Sequence, residues 1–115
     1  MSGHNIYTFK FNEMYSLYTA KIERKGRSSE ELDEVICWLT DYSLNELHAI
    51  DESVDMATFF ENAPSLNPNR SLITGSVCGV KLAQIEEPIM KEIRYLDKLV
   101  DELAKGKSID KILRK

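Results

Sequence analysis

The 115 residues of this chain predict an all-α fold, a compact single-domain bundle of five to seven helices. Three observations carry that expectation. Apolar residues return every three or four positions along most of the chain, the period of one helix face. Helix-start signals stand ahead of those runs, in Ser28 with Glu31, Ser43 with Glu46, and Asp55. No run alternates apolar with polar residues between hairpin turns, as a half-buried strand would.

Residues 1–9 read as a lead-in, in which Ile6, Tyr7, Thr8 and Phe9 form one extended run too short to make a sheet. A first helix starts near Phe11 and turns Phe11, Met14, Tyr15, Tyr18 and Ile22 inward, with Lys21, Arg24 and Lys25 at its negative end and Gly26 as its stop. The second follows the Ser28–Glu31 capping box. Glu30, Asp33 and Glu34 load its first turns, Leu32, Val35, Ile36 and Leu39 form its apolar face, and Trp38 covers the core edge. The Ser43–Glu46 box opens a short third helix through Leu44, Leu47 and Ile50. Asp55 caps a fourth, with Met56, Phe59, Phe60 and Ala63 on one side and Pro64 ending it.

A fifth helix is expected over 68–79. Asn67 caps it, Pro68 opens it, and Leu72, Ile73, Val77 and Val80 keep helical spacing. Ser71, Gly75 and Gly79 then line one face. A glycine inside a helix costs roughly 1 kcal/mol against alanine, so a neighbouring backbone is expected to approach closely there, with Gly79 also able to stop the helix. The central helix runs from Pro88 to Lys105. Its face is Ile89, Ile93, Leu96, Val100 and Leu103, widened by Met90 and Leu99, and Gly106 ends it. Ser108 caps a last turn through Ile109, Ile112 and Leu113, inside a basic C-terminal tail, 107–115.

The net charge of −4 is unevenly spread. Residues 1–66 hold 5 Lys/Arg against 12 Asp/Glu, a balance of −7, and residues 67–115 hold 10 against 7, a balance of +3. No apolar run approaches the roughly 18 residues of a membrane span, and the opening MSGHNIYTF lacks the basic and apolar regions of a signal peptide, so a cytoplasmic location without membrane contact is expected. Cys37 and Cys78 are expected reduced and buried. With His4 and His48 they have no metal-ligand spacing, so neither a metal nor a cofactor is expected. Phosphate loops, dinucleotide fingerprints and nucleophile elbows are missing from the sequence, which leans against an enzyme. Ser71 to Ile85 has a faint helix-turn-helix look, but Pro88 would break the reading helix and Glu86 and Glu87 would face phosphates.

The polar residues with site-like placement are Asn67, Asn69, Arg70, Thr74, Arg94, Tyr95, Asp97 and Lys98. Arg94 and Asp97 are one turn apart and can pair. Arg70 is poorly placed for a helix-start dipole, so another group must hold it. If 68–79 and 88–105 pack antiparallel, Arg70 lies roughly 14 Å and Arg94 roughly 9 Å from the shared connection, which brings both beside Asp97. That cluster is either an anion-binding notch with backbone N–H groups near Asn67, or a salt-bridge network positioning two helices, the network being the plainer reading.

The run NPNRSLITGSVCGVKLAQIEEPIMKEIRYLDKLVDELAKGK resembles the signature region of the bacterial "domain of unknown function 2200" family, and KIERKGRSSEELDEVICWLTDYS and FFENAPSLNPNR are similar to it as well. The resemblance implies a small single-domain cytoplasmic protein and supplies no catalytic residue. The leading functional expectation is a binding or protein-interaction module, with a second copy of the chain (a homodimer), another protein or a small molecule as partner. The alternatives are a small-molecule or anion binder, or small enzyme, using the Arg70/Arg94 region, and a nucleic-acid-associated protein using the basic tail, nucleic acid being the less favoured partner.

Overall fold

The computed structural model describes residues 6–77 and 79–114. Pro88–Ala104, here α5, is its longest helix, at 17 residues. Pro88 stands at its first position, where a missing N–H is harmless, and Gly106 at φ 91° turns the chain out of it. The expected face is buried: Met90, Ile93, Leu96, Leu99, Val100 and Leu103 all lie in the core, and Ile89 is partly covered. Burial extends past that stripe to Glu92, Tyr95, Glu102 and Ala104, so α5 is covered on more than one side.

The covering elements are α1 (Phe11–Glu23), α2 (Ser29–Thr40), α4 (Met56–Glu61) and α6 (Ile109–Ile112), with α3 (Leu44–His48) packed on α2. Ser28 and Ser43 form both halves of their capping boxes, and Asp55 accepts from the Thr58 N–H at 2.8 Å. The helices they open follow from those caps. α3 stops at His48, short of Ile50, and α4 stops at Glu61, short of Ala63. Phe11 stacks on Phe59 with ring centroids 3.9 Å apart, and the Tyr42 hydroxyl donates to the Phe59 carbonyl at 2.7 Å. Backbone bonds from Phe11 N–H to the Val54 carbonyl and from Met56 N–H to the Phe9 carbonyl tie the start of α1 to the start of α4. Trp38 flanks the core, half-buried, as its position beside the α2 face implies.

Three expectations change. The fold is mostly helical, not all-α: it contains an antiparallel hairpin of β1 (Ser76–Val77) and β2 (Val80–Lys81), with Val77 opposite Val80. The helix over 68–79 is also not formed. A 3₁₀ turn covers Pro68–Leu72, Ile73 is extended at ψ 115°, and the hairpin follows. The physical reason is the pair of glycines. Gly75 at φ 95° and Gly79 at φ 78° hold left-handed backbone that a right-handed helix cannot contain. Their four-residue spacing marks two turns rather than one helix face, and residues as short as a two-residue strand cannot show alternation. The extended run expected at the N-terminus is helical at residues 6–8. A second 3₁₀ turn, Leu82–Gln84, leads into α5.

Cys37 is free and only partly buried, so its expected full burial is not met. His4, Cys78 and Lys115, together with the first part of the 1–9 lead-in, lie outside the described residues. Among the described residues no helix is long and apolar enough to cross a membrane.

Leu96 has no exposed surface. Leu96→Ala is therefore expected to lower the free energy of unfolding by about 2–5 kcal/mol in urea titration, and a loss well under about 1 kcal/mol would contradict its burial. Nothing lies within 4 Å of a Cβ built on Gly79, so Gly79→Ala isolates backbone strain and should cost roughly 1–2 kcal/mol in the same titration.

Candidate functional site

The predicted site residues do not converge as one set, and Arg70 and Arg94 do not meet at Asp97, because the helix that would have aligned them is a turn and a hairpin. Arg70 finds its carboxylate in Glu92, with Nε at 2.8 Å and 3.1 Å from the two oxygens, while Nη1 donates to the Asn67 carbonyl at 2.9 Å. Arg94 pairs with Asp97 at 2.7 Å, as their one-turn spacing predicts, and Asp97 also accepts from the Tyr18 hydroxyl. Lys98 donates to the Ser76 carbonyl at 3.2 Å and lays its stem against Gly75. Asn67 caps the 3₁₀ turn through Asn69 N–H and donates to the Trp38 carbonyl, and Asn69 donates to the Arg114 carbonyl. Asn67, Asn69, Arg94, Asp97 and Lys98 thus each commit side-chain polar atoms to the protein itself.

The structure does bring Arg70, Thr74 and Tyr95 to one cleft, between the Pro68–Leu72 turn and α5. Two adjoining cavities of 200 Å³ and 320 Å³ share Ser71, Lys91 and Tyr95 as lining. Lys91 and Ser71 are not among the predicted site residues, Ser71 being expected only on the small-residue face with Gly75 and Gly79. Lys91 stands four residues before Tyr95, which places both on one face of α5, and that spacing was the available signal. Burial pushes the Tyr95 phenol above its ordinary value, and the Glu92 charge adds to the rise.

The other polar assembly was missed. Asp33 on α2 is buried, accepts from the Tyr15 hydroxyl of α1 at 2.5 Å and bonds His48 Nε2 of α3 at 2.8 Å. A neutral His48 donating from Nε2 leaves Nδ1 as the acceptor. Burial, reinforced by Asp33, raises both the Tyr15 phenol and the Cys37 thiol, so neither is ionised near neutral pH and Cys37 is a poor nucleophile. No local spacing signals this chain, since its members come from three helices.

His48 lines a cavity on each side of the assembly. One, of 330 Å³, is formed with Phe11, Asn12, Tyr15, Ser16 and Leu47. The larger is a groove of 530 Å³ between α2 and α3, walled by Cys37, Tyr42 and Leu44, with Glu30, Asp33 and Glu34 along it. Leu44 is 53 % exposed there. Glu30 and Glu34 are exposed and one turn apart, and neither has a salt-bridge partner among the described residues. Both Asp33 oxygens are engaged in hydrogen bonds, so the carboxylates that the groove offers to a partner are those two glutamates. Among the described residues no three His, Cys, Asp or Glu side chains are grouped to hold a metal ion.

The basic tail is drawn inward. Arg114 grips both oxygens of buried Glu102 at 2.6 Å and 2.8 Å, with Lys107 at 3.5 Å from the same carboxylate, and Lys105 pairs with Asp101 at 3.1 Å. Arg27 joins the opposite loop by donating to the carbonyls of Leu103 and Lys107.

These features define a small, mostly helical domain with two polar clefts on its surface. The chain belongs to the family described as uncharacterized proteins conserved in bacteria (DUF2200), whose family model matches residues 5–114. It is similar over almost its whole length to a solved structure, the crystal structure of uncharacterized protein SP1917. The two are 45% identical with a TM-score of 0.91, covering 98% of this chain and 93% of that one. No curated protein matches the chain.

Burial opposes ionisation of Glu102, yet Arg114, Lys107 and Lys98 outweigh it and hold the carboxyl below its ordinary 4.5. A depressed folded-state value means that its stabilisation is complete above the unfolded value and is lost as pH falls through the folded one. Stability measured by urea unfolding should therefore decline as pH drops below about 4.5. Arg114→Met should lower stability at neutral pH by up to about 3 kcal/mol and flatten that decline. An unchanged acid slope in the variant would contradict the pairing.

Proposed function

We propose that the protein is a binding module whose docking groove lies between α2 and α3, and that it takes a partner segment presenting an aliphatic side chain beside a cation. The single observation that carries this reading is the 530 Å³ groove, where an apolar wall of Cys37, Tyr42 and exposed Leu44 runs beside the unpaired Glu30 and Glu34. An aliphatic group set against Leu44 and Tyr42 would leave water, while an ammonium or guanidinium would meet the two glutamates. The balance of −7 over residues 1–66 steers the same partner and repels acidic ones.

A binding role is better supported than a catalytic one. Asp33 and Tyr15 orient His48, but the thiol beside them is raised rather than activated. A nucleic-acid partner draws little support from the tail, since Lys105, Lys107 and Arg114 are already paired with Asp101 and Glu102.

Three probes of one aliphatic shape test the reading: isoamylamine, isoamyl alcohol and isovalerate, titrated into nitrogen-labelled protein. The amine is expected to give saturable amide shifts at Cys37, Leu44 and His48, the alcohol weaker ones and the acid none there. Glu34→Gln should weaken the amine by several-fold. Equal shifts from the amine and the acid would defeat the proposal, and so would a dimer, seen by light scattering, that Leu44→Asp dissociates.

A further inference from the structure

We propose that the cleft between the Pro68–Leu72 turn and α5 is a second, independent binding site, for a small monocarboxylate with a compact apolar body. The first ground is Tyr95. Its residue is only 7 % exposed, its side chain lines both cavities of the cleft, and its hydroxyl has no hydrogen-bond partner among the described residues. The oxygen is nevertheless not sealed off, since every fully enclosed side-chain polar atom among the described residues has a partner. The hydroxyl therefore opens into the cleft and can donate to a bound acceptor there without breaking a bond to another residue.

The second ground is charge. Lys91 is half-buried, lines both cavities and has no ion-pair partner among the described residues, in contrast to the paired Lys105 and Lys107. Arg70 uses Nε and Nη1 on Glu92 and on backbone carbonyls, and its Nη2 makes no hydrogen bond among the described residues. Arg70 and Lys91 against Glu92 leave a single positive charge, which matches one carboxylate. A dianion such as phosphate would bring its second charge toward Glu92, which sits in the same wall.

The third ground is the inner surface. Ile73 and Leu82, each 2 % exposed, and Ala83 line the 200 Å³ cavity that adjoins the charged part of the cleft. A short hydrocarbon body can lie there while its carboxylate takes donors from Lys91 and the Tyr95 hydroxyl, with Ser71 and Thr74 at the rim. This cleft shares no lining residue with the α2–α3 groove, so failure of either proposal leaves the other standing.

The test is a residue-resolved titration of the full chain with butanoate, inorganic phosphate and butylamine. Butanoate is expected to shift the Ser71, Thr74, Lys91 and Tyr95 amides saturably, and phosphate and butylamine to leave them unmoved. Tyr95→Phe should weaken butanoate about tenfold, and Lys91→Met by at least as much. Without ligand, Tyr95→Phe should melt close to the wild-type temperature, because it removes a hydroxyl that bonds no other described residue while keeping the ring. Absence of saturable shifts with butanoate, equal shifts with phosphate, or full affinity in Tyr95→Phe would each overturn the proposal.

Discussion

Burial of α5 on more than one side is the constraint on which the remaining structure depends. A helix with a single apolar stripe can sit on a surface with its polar half in water. α5 cannot, because Glu92, Tyr95 and Glu102 are drawn inward beside Ile93, Leu96, Leu99 and Leu103. Carboxylates taken out of water are tolerable only when paired and hydrogen-bonded. On α5 the chain meets that condition by bringing a cation to each of the two: Arg70 to Glu92 from the turn before the hairpin, and Arg114 to Glu102 from the far end. Those ion pairs fix where the irregular segments must lie, much as the apolar face fixes α1, α2 and α4.

The same constraint separates structural polar groups from available ones. Asp97 takes the Tyr18 hydroxyl of α1, Lys98 reaches the Ser76 carbonyl and Arg114 grips Glu102, which holds α5 to its neighbours, while Arg94 and Lys105 pair within α5 and its cap. Lys91 and Tyr95 line one cleft and Glu30 and Glu34 the other, each without a side-chain hydrogen-bond or ion-pair partner among the described residues. Opposite signs of charge in the two clefts suit them to opposite classes of ligand, which is the physical basis for treating them as separate sites.

Much of the helical architecture was legible from local chemistry. Capping boxes at Ser28 and Ser43, Asp55 before Met56, and Pro88 and Gly106 around α5 are signals whose cause lies within a few residues. The segment from Ser71 to Lys81 was not legible, since glycines four apart satisfy a helix face and a pair of left-handed turns equally well until φ is known. Arg70 carried a partial signal: its unfavourable place at a helix start implied a holding group, and that group is Glu92 rather than Asp97. The Tyr15–Asp33–His48 assembly left no trace in the sequence, because it depends on how three helices cross. In the Tyr95 cleft, the predicted residues Arg70, Thr74 and Tyr95 do meet, but Lys91 and Ser71 complete it.

Hydrogen exchange of backbone amides is the most direct test of the claim that α5 holds the molecule together. Amides from Ile93 to Leu103 should exchange only through global unfolding, with protection free energies equal to that from urea titration, while the hairpin around Gly79 opens at lower free energy. Faster exchange in α5 than in α1 or α2 would contradict the account.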